Sequence, residues 1–147
     1  RRGMGIQVRN RQRKRRVGLS RLKRVGARTL SALGRPSHEI SVLLVGDRAI
    51  RRLNRTYLKH NRPTDVLAFP QQRGPRVPQP HLLGDVVISV DTAARQAKEH
   101  GHSLARELAL LLIHGILHLV GYTDTTPAAR RRMWAEQSRL LRMSSDP

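Results

Sequence analysis

The sequence predicts a small α+β domain: about four strands in one mixed sheet, helices packed on it, and a buried central helix that carries two histidines. Three observations lead there. The chain of 147 residues is long enough for one domain with one real core, so residues 1–147 are read as a single unit. Apolar periodicity switches between the helical and the strand repeat in the order β-α-β-α-β-β-α-α-α, which places helices on a sheet. One stretch, Leu108 to Asp124 (LALLLIHGILHLVGYTD), is far more apolar than the rest and is the helix the others must cover.

Taken in order, Ile6-Gln7-Val8 reads as a short edge strand, and Arg9 to Arg16 (RNRQRKRR) as a solvated basic loop or a phosphate-binding patch. Val17 to Leu33 has helical spacing and stops at Gly34-Arg35-Pro36. His38 to Val45 is rich in β-branched residues and leucine, and so a strand. Asp47 is placed to cap a short helix through about Tyr57. A polar loop, Lys59 to Pro63, leads into a strand over Thr64–Phe69, and the proline-bearing Gln71–Pro80 is a loop. His81 to Val90 is the next strand, with a continuous apolar half that suits the inside of a sheet. Asp91 is expected to cap a helix that Gly101 ends, and Ser103 opens the histidine helix. Pro127 starts a last helix through Met133, Trp134, Ser138 and Leu141, with Trp134 expected in the core.

Composition narrows the partners. Lys+Arg 29 against Asp+Glu 10 gives a net charge of +19, which points to polyanions such as RNA, DNA or an acidic surface. Arginine outnumbers lysine, which suits forked phosphate contacts and equally suits a GC-rich genome. There is no cysteine, which excludes disulfides and thiolate metal sites and makes an intracellular place the default. Aromatics are only 3%, too few for base-stacking platforms. The longest apolar run is interrupted by His114 and His118 and is too short to span a bilayer, so no membrane partner is expected. The first residues are basic but lack the apolar core of a secretory signal, so a cytoplasmic location is expected. No acidic residue occurs in the first 38, which leaves an organellar location open.

The chemistry concentrates in the apolar stretch. His114 and His118 are four apart and so share one helix face. Gly121 is a natural helix stop, and the returning chain brings Asp124 toward the two imidazoles. Two imidazoles and a carboxylate with a fourth position open make a catalytic type of metal site, most naturally for zinc. The competing reading is a pair of packed core histidines. The residue after His114 is Gly115, where a zinc protease of the HExxH kind carries its general-base glutamate, so a metalloprotease is disfavoured. The bare backbone of Gly115 suits close approach of a neighbouring segment or a bulky substrate. His81, His100 and His102 are expected to be exposed.

His114 to Tyr122 (HGILHLVGY) resembles the histidine signature of the YbeY endoribonuclease family of ribosomal RNA maturation factors. Asn54, Tyr57 and Pro63 to Pro70 (PTDVLAFP) resemble a second family segment, and Leu83 to Ser89 (LGDVVIS) a third. They come in the family's order and cover most of residues 6–143. The resemblance implies a single-metal hydrolase that cuts single-stranded RNA, acting in 16S rRNA 3′-end maturation and ribosome quality control. It implies one Zn2+ per chain, with Mn2+ or Ni2+ as alternatives, and ribosomal RNA and the ribosome or its proteins as partners.

The family's three ligands are histidines; two fall on His114 and His118, and the third falls on Asp124. Exchanging an imidazole for a carboxylate keeps a good oxygen ligand but lowers the positive charge of the site by one. The family also has an arginine directly after the tyrosine, where this chain has Leu58, and Lys59 or Arg62 is expected to take over its phosphate contact. Thr64 with Asp65 either shapes the cleft wall or makes a turn before the strand. Asp85 either orients a ligand histidine from behind or belongs to a bulge or turn. The nucleophile is water or the RNA 2′-hydroxyl. The alternative reading is a non-catalytic, ribosome-associated RNA-binding factor that keeps a vestigial metal site.

Overall fold

The computed structural model describes residues 5–58, 64–71 and 81–144. The expected element order is observed: β1 (Ile6–Asn10), α1 (Leu19–Ala32), β2 (Glu39–Val45), α2 (Asp47–Leu58), β3 (Val66–Pro70), β4 (Leu82–Ser89), α3 (Val90–His100), α4 (Leu104–Leu119) and α5 (Pro127–Met143). The strands form one mixed sheet in the order β1-β2-β4-β3, with β1, β2 and β4 parallel and β3 antiparallel to β4. Central β4 is the near-continuous apolar strand expected, buried along its length except at Leu82 and Asp85.

The histidine helix α4 packs on β3 and β4 and is flanked by α1, α3 and α5. Its Leu112, Ile113, Ile116 and Leu117 have no exposed surface, and each such burial contributes about 1.5–3 kcal/mol. Helix α2 covers the other face, where Ile50 packs with Val45, Leu67 and Val87. Gly115 sets how closely α4 approaches the sheet: a Cβ there would lie 2.6 Å from Val86 Cγ1 and 3.4 Å from Val66 Cγ2. Of the two occupants considered for that bare backbone, it is the neighbouring sheet that fills it.

Several local expectations are corrected. Asp91 does not cap α3; Ser89 does, its hydroxyl accepting from the Thr92 amide at 3.2 Å. The Asp91 carboxylate instead accepts from the Asp47 amide at the start of α2, at 2.9 Å. Asp47 is the first residue of α2, and its carboxylate reaches across to accept from Ser89 Oγ at 2.6 Å and Thr92 Oγ1 at 2.7 Å. Asp91 thus serves the start of α2 while Asp47 braces the hydroxyls at the start of α3, a tertiary arrangement a local capping rule does not describe. In α5 the buried stripe is Ala129, Met133, Gln137 and Leu140, so Ser138 is only half-buried and Trp134 is 68% exposed. The spacing i, i+4, i+7 from Met133 selects Gln137 and Leu140 and turns Trp134 outward.

Candidate functional site

Helix α4 begins at Ser103, whose hydroxyl accepts from the Arg106 amide at 3.1 Å, and its last turn carries His118. It stops where predicted, with Gly121 at φ 107 and the Tyr122 amide donating back to the Leu117 carbonyl at 2.9 Å. Both histidines are half-buried, with ring centroids 4.7 Å apart and nearly perpendicular planes. Each ring is fixed through Nδ1. His118 Nδ1 donates to the Tyr122 carbonyl at 3.1 Å, and His114 Nδ1 donates to Gln137 Oε1 at 2.8 Å. Those partners assign the protons to Nδ1 and leave both Nε2 lone pairs facing each other, 3.1 Å apart. Two lone pairs at that distance repel unless a proton or a cation lies between them. Ligand atoms of a tetrahedral zinc shell, with bonds of about 2.0–2.1 Å, stand roughly 3.3–3.4 Å apart, so the pair fits such an ion.

Burial, and then the neighbouring His114 ring, hold the His118 imidazole below its ordinary value of 6.5. The Tyr122 carbonyl and the Asp124 charge push it the other way without prevailing. Asp124 lies on the exposed loop after Gly121, tethered by its main chain, whose carbonyl accepts from Arg130 Nη1 at 3.1 Å. Its charge therefore reaches His118 from the rim of the site. A pocket of about 260 Å³ lies beside this loop, lined by Val120 to Thr123, Ala129 and Arg132.

The ring of His114 also borders a pocket of about 170 Å³ whose walls include Asp65, Gln96, His100, Glu107 and Gln137. Among the described residues, the three ligand-type side chains whose donor atoms converge within 4.8 Å are His100, His102 and Glu107, a group that could hold a metal ion. His100 is exposed as expected, but His102 is half-buried, because its Nε2 lies 2.6 Å from the buried Glu107 carboxylate.

The remaining expected residues divide. Thr64 Oγ1 is 3.5 Å from Asp65 Oδ1, a contact between neighbouring side chains just before β3, and Asp65 belongs to the pocket wall beside His114. Asp85 does not stand behind a ligand histidine. Strand alternation turns Val86 toward α4 and Asp85 to the other face, into a groove with Arg9, Arg11, Tyr57 and Phe69. Orienting the rings falls instead to Gln137 and the Tyr122 carbonyl. Gln137 was absent from the sequence reading, although a polar residue inside the Met133–Leu140 stripe was a signal for it. Leu58 closes α2 at 44% exposure, and Lys59 and Arg62 lie outside the described residues.

Comparison with known proteins decides the family. The family model for endoribonuclease YbeY matches residues 7–145. The chain belongs to the YbeY endoribonuclease family. It is 46% identical over 141 residues to endoribonuclease YbeY of Geobacter metallireducens, covering 94% of each chain. It is 49% identical over 131 residues to that of Moorella thermoacetica, covering 84% of each. The solution structure of TM1509 from Thermotoga maritima superposes with a TM-score of 0.65 at 25% identity, over 95% of this chain and 88% of that one. The YbeY family resemblance read from the three motifs is therefore correct, and so is the α+β fold with its central histidine helix.

Proposed function

We propose that the chain is a metal-dependent endoribonuclease that cuts single-stranded RNA, with ribosomal RNA, in 16S rRNA 3′-end maturation and ribosome quality control, as its place of action. The observation that carries this is the His114–His118 pair, two rings locked through Nδ1 with their Nε2 atoms 3.1 Å apart, in a chain of this family. In this reading His114, His118 and Asp124 hold one divalent ion, most naturally zinc, with Mn2+ or Ni2+ as alternatives. When bound, that ion supplies Lewis acidity toward a phosphoryl oxygen.

The chain's own residues bind and orient. Gln137 and the Tyr122 carbonyl keep both rings in the tautomer that presents Nε2. The low proton affinity of His118 keeps that nitrogen free at neutral pH. Arg130 and Arg132, beside the Asp124 loop, are placed to neutralise RNA phosphates, with Lys59 and Arg62 as further cations after α2. No helix among the described residues is long and apolar enough to cross a membrane.

Two features favour the second reading, a non-catalytic RNA-binding factor attached to the ribosome. The exposed Leu58 stands where the family carries arginine, and Asp124 sits on the rim where the family carries histidine. The deciding experiment incubates purified chain with a single-stranded 16S rRNA 3′-end fragment, with and without chelator, beside a His114→Ala, His118→Ala variant. Cleavage that needs both metal and histidines supports the nuclease. Tight binding without metal-dependent cleavage selects the binding factor.

A further inference from the structure

The second convergence of ligand atoms joins two helices. His100 is the last residue of α3, His102 sits in the turn after Gly101, and Glu107 is in the first turns of α4. Gly101 adopts φ 70, which folds the turn tightly enough to bring both rings onto one carboxylate. Glu107 Oε1 is 3.3 Å from His100 Nδ1 and 2.6 Å from His102 Nε2, and the donor atoms all lie within 4.8 Å of one another. The Glu107 side chain is 1% exposed, and its ion-pair partners among the described residues are these two imidazoles, with no lysine or arginine. Carboxylates so deeply buried are ordinarily hydrogen-bonded and paired, or coordinate a metal, and two converging imidazoles supply the donor set for a metal. The 3.3 Å spacing is that of two ligands in a tetrahedral shell, and the 2.6 Å spacing needs to open by only some tenths of an ångström. His100 is 52% exposed, so the fourth position faces solvent.

We infer that His100, His102 and Glu107 bind a second divalent transition-metal ion, separate from the one at His114 and His118, which clips the end of α3 to the start of α4. Two imidazoles and one carboxylate select the zinc class over Mg2+ or Ca2+, which prefer oxygen-only shells. Glu107 and His114 lie on the same face of α4 about two turns apart, roughly 10 Å along the axis. That is far beyond the ~3.5–4 Å of a two-metal catalytic centre, so this ion is structural. Because His100, Glu107 and His114 border one pocket, fixing the α3–α4 turn also fixes one wall beside His114.

Cobalt(II) titration of the full chain, followed by its visible absorption and by the thermal midpoint, tests this. The His114→Ala, His118→Ala variant should still bind one equivalent and gain thermal stability from it. In that background His100→Gln, an exposed position that the fold tolerates, should weaken cobalt binding at least tenfold, and adding His102→Gln should abolish it. A His114→Ala, His118→Ala chain that binds no cobalt overturns the inference, as does one whose binding ignores His100→Gln and His102→Gln. If the first site is misassigned, the unaltered chain binds a single equivalent that survives loss of His114 and His118, which leaves the second site standing.

Discussion

The orientation of His114 depends on one amide oxygen. Gln137 is buried on α5, and its Oε1 accepts from His114 Nδ1 at 2.8 Å, which fixes both the rotamer and the tautomer of the ring. Gln137→Leu should therefore lower zinc affinity about 10–100-fold while the fold persists, and Gln137→Glu, which keeps an acceptor, should restore most of it. Competition titration with a chelating dye measures both, and equal affinities in all three chains would remove Gln137 from the site. The neighbouring ring gives a test by pH. His118 titrates below 6.5 because burial, and next His114, disfavour its cation. The unfolded chain then takes up the proton first, so this contribution to stability is complete above pH 6.5 and is lost as pH falls below it. Asp124→Asn removes one of the influences that raise the value, so the His118 midpoint in an NMR titration of metal-free protein should fall further. An unchanged midpoint would place the Asp124 charge too far from the ring to serve as a ligand.

At the scale of elements, α4 is decided by contacts on both of its faces. Gly115 costs the helix about 1 kcal/mol against alanine, yet a Cβ there would lie 2.6 and 3.1 Å from the two methyls of buried Val86. Gly115→Ala should consequently destabilise the fold by about 1–3 kcal/mol in urea denaturation, and Val86→Ala in the same chain should recover part of the loss. An unchanged or raised urea midpoint for the single variant would mean that α4 does not depend on this approach. The start and stop of α4 were legible in the sequence because Ser103 and Gly121 act locally, on residues within a turn of themselves. Asp47 and Asp91 were misread because each uses its carboxylate on the other's helix, and no rule of local spacing anticipates a partner 44 residues away. The face of α5 was misread for a related reason. Trp134 is the largest apolar side chain there, but the helical phase set by Met133 and Leu140 points it outward and puts Gln137 inside.

Across the whole molecule, the two histidines were legible because a polar pair at helical spacing stands out in an apolar run. The Glu107 cluster was not, because residues at a helix end, in a turn and in the next helix show no common spacing until the Gly101 turn brings them together. Charge was the most legible property and the least localised. The net +19 is spread along the chain, with concentrations in the basic segment after β1, in α1 and α2, and in Arg130 to Arg132 at the start of α5. The structure separates these groups: α2 packs on the sheet face opposite α4, whereas Arg130 holds the Asp124 loop and Arg132 borders the pocket beside it. Electrostatic binding of single-stranded RNA falls with salt at a slope of about −0.7 per phosphate neutralised, so each group's share can be counted. Arg130→Ala with Arg132→Ala should reduce the magnitude of that slope by about 1.4 if both guanidiniums meet phosphates. Arg52→Ala with Arg55→Ala, on α2, should lower affinity through net charge yet leave cleavage of bound RNA intact. Filter binding over a series of salt concentrations, with single-turnover cleavage of saturated complexes, separates the two. If the α2 pair alone changes the slope and the rate, the RNA path runs over the opposite face of the sheet, and His114 and His118 are not where the strand is cut.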